Sequence, residues 1–208
     1  LLIGLAIALA LAGAIPMGIL LARFRLPVLN AATQLGIAVP SFLVGILLVA
    51  VFSVHLGWLP ANGWQLPREG LSHLVLPVIS LALVQGAMLT RYVRATLMEE
   101  MGKDYIRTAR SLGESRTEAL IRHGLRNAAL PVLTVTGVQL STLVVGAVVI
   151  ENVFVIPGLG SMLLDAVSSR DLITVQTLIM VFVTFTLTVN LLTDLAYRVI
   201  DPRLKEAR

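Results

Sequence analysis

The 208-residue chain has no cysteine. Disulfide frameworks, thiolate nucleophiles and thiolate metal sites are therefore excluded. Charge is scarce as well: 13% of residues are charged, against roughly 25% in an ordinary soluble domain. Lysine occurs only at Lys103 and Lys205, followed by Asp104 and Glu206. A P-loop needs a Gly-rich turn closed by Lys-Ser/Thr, so this chain cannot bind ATP by that route. His55, His73 and His123 are scattered and no HExxH occurs, so no metal site is expected. No nucleophile–base pair stands out, and no catalytic residue is assigned. The chain shows neither an internal repeat nor a low-complexity tract.

What is abundant is apolar surface. The chain is 57% hydrophobic, with a mean hydropathy of +0.89. A soluble fold cannot hide so much, and the composition places the chain in the membrane class. The pI of about 10.1 would suit nucleic acid. The basic residues flank apolar runs, however, and the positive-inside rule explains that pattern without a nucleic-acid partner. The first residue is Leu1 and an apolar run begins at once, with neither the basic region nor the small-residue cleavage site of a signal peptide. The chain is expected to be a piece whose N-terminal part is missing.

A membrane helix needs about 20 mostly apolar residues. Five stretches qualify: Leu1 to Ala22, roughly Thr33 to Val54, Leu74 to Thr90, Pro131 to Ile150, and Leu172 to Thr193. The architecture expected is a single all-α membrane domain over residues 1–208 with five spans. If Arg23 and Arg25 are cytoplasmic, so are Arg91 to Arg126 and the tail after Arg198. All of the 16 Lys and Arg residues except Arg68 and Arg170 then lie inside. Two outer loops follow, about 55–72 and about 151–171. Pro16, Pro40, Pro77 and Pro131 fall in or at the ends of spans, where proline invites kinks that neighbouring helices can tolerate. They serve helix packing or act as pivots.

One long stretch breaks the apolar pattern: DYIRTARSLGESRTEALIRHG, residues 104–124. Each arginine at a bilayer centre costs about 2.5–3.5 kcal/mol, so Arg107, Arg110, Arg116 and Arg122 together cost roughly 10 kcal/mol or more. The stretch must stay in the cytoplasm. It reads as two short helices. The first runs from about Asp104 to Leu112, with Asp104 as N-cap or first-turn acid. Tyr105, Ala109 and Leu112 share one face, as do Ile106 and Ala109, and Arg107 and Arg110 lie on another. Gly113 ends this helix. Ser115-Arg116-Thr117-Glu118 has capping-box spacing and opens the second helix. Glu118 and Arg122 are spaced for an i,i+4 ion pair, and Pro131 should close the segment. Two readings are open. The stretch is an amphipathic hairpin on the membrane face, its arginines meeting lipid phosphates, or a docking element for a soluble partner.

The run DYIRTARSLG…RHGLRNAALPVL resembles the cytoplasmic coupling loop of ABC-importer permeases, in particular the oligopeptide/dipeptide/nickel branch and its dipeptide-permease B-type subunits. The general pattern is Glu-Ala-Ala, three residues, Gly, nine residues, Ile, any residue, Leu-Pro. Arg107-Thr108-Ala109 stands at the triplet, Arg110, Ser111 and Leu112 follow, and Gly113 stands at the glycine. His123 comes nine residues later, then Gly124 and Leu125. Arg126 occupies the proline position, and proline appears at Pro131. These departures fit the peptide branch, and they remove the general family's glutamate from any docking salt bridge. GWLPANGW (57–64), VFVIPGLGSML (153–163), Arg170-Asp171 and NLLTDLAYRVIDPRLK (190–205) extend the resemblance over nearly the whole chain.

The resemblance implies a type I ABC-importer transmembrane domain, with six helices in the complete protein. It implies a coupling loop at about 95–130. Asp104, Tyr105, Ile106, Arg107, Thr108, Ala109, Arg110 and Gly113 would engage the ATPase. The implied partners are a second, similar permease, two ATPase subunits and a periplasmic or lipid-anchored substrate-binding protein. The chain itself would hold no cofactor, because ATP is bound by partner subunits. The implied solute is a di- or oligopeptide, with nickel or glutathione as the other solutes of the branch. Pro157, Gly158, Leu159 and Gly160 read as a tight outer turn, with Pro157, Gly158 and Gly160 available to the binding protein. An ion-coupled secondary transporter is the competing class. It would need paired intramembrane charges, and Asp194 is the sole acid well inside a span. Asn190 and Asp194 suit helix–helix hydrogen bonding. Trp58 and Trp64 suit interfacial anchoring, and Glu151, Asn152 and Asp165 read as solvated loop residues.

Overall fold

The computed structural model describes residues 1–24, 26–64 and 70–200. Arg25, Arg68, Lys205 and the tail from Asp201, which enter the charge argument above, lie outside the described residues. Nine α-helices are formed among those described. They are α1 (Leu2–Arg23), α2 (Pro27–Ala38), α3 (Ser41–Leu48), α4 (Gly70–Glu100), α5 (Asp104–Ser111), α6 (Arg116–Ala119), α7 (Leu125–Val153), α8 (Leu159–Ser168) and α9 (Leu172–Ile200). Wider π-helical turns follow α3 at Val49–His55 and α6 at Leu120–Gly124.

Four helical stretches are long and apolar enough to cross a membrane: Leu2–Arg23, Leu71–Glu100, Arg116–Val153 and Leu172–Val199. They contain four of the five expected spans. The second expected span, Thr33 to Val54, is not one rod. Its two halves, Pro27–Ala38 and Ser41–His55, meet at 104°. Pro40 is the physical cause. Proline disfavours helical backbone at the preceding residue, and Val39 is accordingly extended at φ −91°, ψ 124°. Pro40 itself then caps α3 from the extended region. The pair counts as a fifth span only if the bent unit is taken as one. Pro16, Pro77 and Pro131 sit inside α1, α4 and α7 without ending them.

The helix α4 is the hub. It packs most extensively on α1 and also meets α2, α3 and α7. Its Leu76, Leu81, Leu89, Val93 and Leu97 are all buried. Helix α1 presents small residues to it at helical spacing: Ala6, Ala10, Ala14 and Gly18 are buried. Small side chains let two membrane helices approach closely. A Cβ on Gly86 would lie 3.7 Å from the backbone of Ala10. One core cluster joins α1, α4 and α7 to Phe154 and Ile156; a second joins Ala22, Val93, Leu97, Leu120 and Ala128 at the end of the bundle where α5 sits. By contrast, α9 packs chiefly on α7 and α8 and is largely exposed. Exposed apolar side chains such as Leu187, Leu191 and Leu192 suit a surrounding of lipid.

Candidate functional site

The charged stretch folds between the end of α4 and the start of α7. Lys103, extended at ψ 155°, is the N-cap of α5, and Asp104 stands in its first turn. The helix has one inward residue, Ile106, only 1% exposed. Burying such a side chain stabilises by about 1.5–3 kcal/mol, enough to hold a helix of two turns in place. Ile106 is therefore an anchor of α5 and not part of its open surface. Arg107, Thr108 and Arg110 are exposed and Ala109 is half-buried. Arg107 pairs with Asp104 at 3.4 Å across open solvent, a geometry worth little. Arg110 forms no ion pair among the described residues.

The helix end has a physical signature. The Gly113 N–H donates to Arg110 O at 3.1 Å, and the Glu114 N–H donates to Ala109 O at 3.2 Å. These two bonds form a Schellman closure, with Gly113 in the left-handed region at φ +102°. A Cβ there would meet no atom within 4 Å, so the demand for glycine is conformational and not steric. Leu112, expected on the apolar face, is instead 82% exposed. The Schellman turn starts at this residue, so its side chain leaves the helical stripe.

The second expected helix is not separate. Ser115 caps it, accepting the Glu118 N–H at 3.2 Å, but among the described residues Glu118 makes no return bond. Helix α6 then runs through the π-helical turn into α7, giving one apolar helical stretch from Arg116 to Val153. Pro131 does not close the segment, because one missing N–H does not end a helix whose flanks are packed. Arg122 pairs with Glu114 at 3.5 Å and not with Glu118. His123 Nε2 lies 3.2 Å from the same Glu114 carboxylate. The π-helical turn changes the rise between residues 118 and 122, and the α-helical i,i+4 geometry is lost.

Two groups near α5 escaped the sequence reading. Glu100, the last residue of α4, is 6% exposed. It accepts from Lys103 Nζ and, at 2.6 Å, from the Tyr105 hydroxyl. Burial and this bond hold the Tyr105 phenol above its ordinary pKa, while Asn127 nearby pulls the other way. The bond to Glu100 raises the Lys103 ammonium in turn. The Glu100–Lys103 spacing of three was the available signal; the nearness of Asn127 had none.

At the other end of α7 the outer turn differs from expectation. Gly158 is the N-cap of α8, so Leu159 and Gly160 begin a helix and do not form a free tight turn. Glu151 is not a solvated loop residue. Its Oε2 accepts the Gly160 N–H at 2.8 Å and the Ser161 N–H at 3.2 Å, an acid at a helix N-terminus where it is favoured. A Cβ on Gly160 would sit 2.5 Å from Val148 Cα, so α8 and α7 touch backbone to backbone there. Pro157 is exposed, and so are Asn152 and Asp165. The Gly63 N–H reaches Phe154 O at 2.9 Å and ties the loop that follows the first π-helical turn to this turn. Trp58 is exposed against Phe52, with ring centres 6.0 Å apart, while Trp64 packs on the core.

In the last helix Asn190 Oδ1 accepts from Ser141 at 3.4 Å, as a helix–helix bond should. Asp194 does not follow: it is exposed and has no hydrogen-bond partner among the described residues. No cluster of metal ligands occurs among the described residues.

The family model of the binding-protein-dependent transport system inner membrane component matches residues 14–206. Glutathione transport system permease protein GsiC of Escherichia coli (strain K12) is 41% identical over 173 residues, covering 82% of this chain and 54% of that protein. Oligopeptide transport system permease protein AppB of Bacillus subtilis (strain 168) is 35% identical over 207 residues, covering 95% of this chain and 66% of that protein. The chain thus spans about half the length of the glutathione permeases it matches. Among solved structures, an inward-facing MetNI methionine ABC transporter superposes with a TM-score of 0.77. It covers 96% of this chain and 91% of the other at 16% identity, a likeness of fold alone. The fold is that of a type I ABC-importer membrane domain. With the matched model covering nearly the whole chain, the protein belongs to the binding-protein-dependent transport system inner membrane component family.

Proposed function

We propose that this chain is the membrane-spanning permease unit of an ATP-driven importer, and that α5 is the element on which an ATPase partner docks. The observation that carries the reading is the construction of α5. One buried residue, Ile106, anchors it, its arginines point outward, and Gly113 closes it in a conformation that other residues adopt at a cost. A short helix held firmly at one end of two long apolar helices can receive a push and pass it on. The chain supplies no phosphate-binding loop, so the energy comes from two ATPase subunits bound at the loops of this permease and of a second one. ATP binding by those subunits would draw the docked helices together and open the passage outward, and hydrolysis would reset it. A substrate-binding protein would deliver solute on the outer side, where Pro157 is exposed. Gly158 and Gly160 shape that surface by seating α8.

The named relatives support a peptide or a small peptide-like solute such as glutathione, and nickel is the other solute in the branch. The excess of basic residues at the α5 end supports placing that end and the C-terminus in the cytoplasm.

The test is crosslinking in membranes. Single cysteines at Ala109 and Leu112, in the chain together with its ATPase subunits, should capture an ATPase in an ATP-sensitive manner. No capture, with partners present and the protein inserted, would return the stretch to its reading as a lipid-facing hairpin.

A further inference from the structure

Glu100 is an unexpected residue where it stands. A carboxylate at a helix C-terminus meets the negative end of the helix dipole, and burial adds a desolvation cost. Yet its side chain is only 7% exposed at the end of α4. What offsets these costs is a set of donors drawn from elsewhere: Lys103 Nζ at the start of α5 and the Tyr105 hydroxyl within α5. Two elements, α4 and α5, therefore meet at one hydroxyl and one carboxylate. Ile106, the next residue of α5, is buried beside them. Among the described residues no other side-chain hydrogen bond from α5 reaches a spanning helix: Arg107, Thr108 and Ser111 bond only within it.

We infer that Glu100 and Tyr105 form the joint that locks α5 to the end of α4, so that movement of α5 is transmitted to that spanning helix as one body. The inference rests on the coupling role proposed for α5 and adds positioning residues to it. Glu100 need not touch the ATPase; it decides whether a push on α5 reaches α4 or is lost as local rocking. A buried charge with few alternatives holds its donors in one arrangement, since any other leaves the carboxylate unpaired.

The test uses the full-length protein assembled with its ATPase subunits. Spin labels at Ala95, exposed on α4, and Ser111, exposed at the end of α5, report whether the two helices move together. In the native background their distance distribution should be narrow and the same with and without ATP. Tyr105→Phe removes only the hydroxyl, and Glu100→Gln keeps shape and an acceptor while removing the charge. Each should broaden the distribution and make it ATP-dependent, and should lower uptake per ATP hydrolysed by roughly tenfold, the scale of one hydrogen bond to a charged group. The double variant should be no worse than the poorer single one, because both remove the same link. The Ala109 cysteine crosslink to the ATPase should survive throughout. Distributions unchanged in both variants, or losses that multiply in the double variant, would overturn the joint. Absence of the crosslink in the native background would instead overturn the docking role itself.

Discussion

Gly113 sets the strictest demand of any single residue in the candidate site. At φ +102° a side chain costs roughly 1–2 kcal/mol, and proline, held near −65°, cannot take the position at all. Gly113→Pro should leave membrane insertion intact and abolish uptake, measured as membrane-fraction yield beside solute accumulation. Normal uptake in that variant would count heavily against α5 as a lever. Tyr105 gives a spectroscopic prediction. Its phenol titrates above the ordinary 10.0, so the neutral form is the one the folded state favours. The stabilisation is fully present below the unfolded value and is lost as pH rises through the raised folded value. Ultraviolet titration should show one tyrosine ionising late, and Glu100→Gln should bring it earlier. The glycine's role could be read from its position after the run DYIRTARSL. The phenol's bond to Glu100 could not, because Glu100 ends α4 while Tyr105 lies in α5, and only the fold at 101–103 brings them together.

At the scale of elements, α8 depends on α7. Two N–H groups at its start end on Glu151, and Gly160 lets its backbone rest on Val148. Glu151→Ala should release the start of α8 at a cost of about 1 kcal/mol, typical of a lost N-cap. Gly160→Val should do more, by forcing the helices apart. Limited proteolysis in the 155–168 region should rise in the order native, Glu151→Ala, Gly160→Val; equal protection in all three would show that α8 is held by other contacts. Helix existence was legible in most of the chain, because uncharged runs of this length have few alternatives in a bilayer. Two boundaries were not. The bend at Pro40 was expected as a kink and proved to be a 104° turn, because Val39 and Pro40 both leave the helical region. The extension of α7 back through Pro131 to α6 was hidden by the usual reading of proline as a stop, which fails where a helix is packed on both sides of it.

For the whole molecule the testable statement is orientation. Helix α7 is 29 residues long, about 44 Å at 1.5 Å per residue, so its two ends lie on opposite sides of a bilayer core about 30 Å thick. Leu112 precedes it and Val155 follows it, both exposed. With single cysteines introduced, a membrane-impermeant maleimide added to intact cells should label Val155→Cys and leave Leu112→Cys unlabelled until the membrane is opened. The reverse pattern would invert the proposed topology and place α5 away from any cytoplasmic ATPase.

Composition alone determined the membrane class, since 57% apolar residues cannot be hidden from water in a chain of this size. Periodicity determined where most helices lie, because it depends on local cost per residue, and by the same cost the arginines argue against placing residues 104–124 in the bilayer. Tertiary structure decided what those helices do to one another. It turned Ile106 inward, gave Arg122 to Glu114, gathered Lys103 and Tyr105 around Glu100, and set Glu151 on the start of α8. Each of these is a meeting of groups from separate elements or across a helix irregularity, and local propensity carries no information about a partner whose position is set by packing.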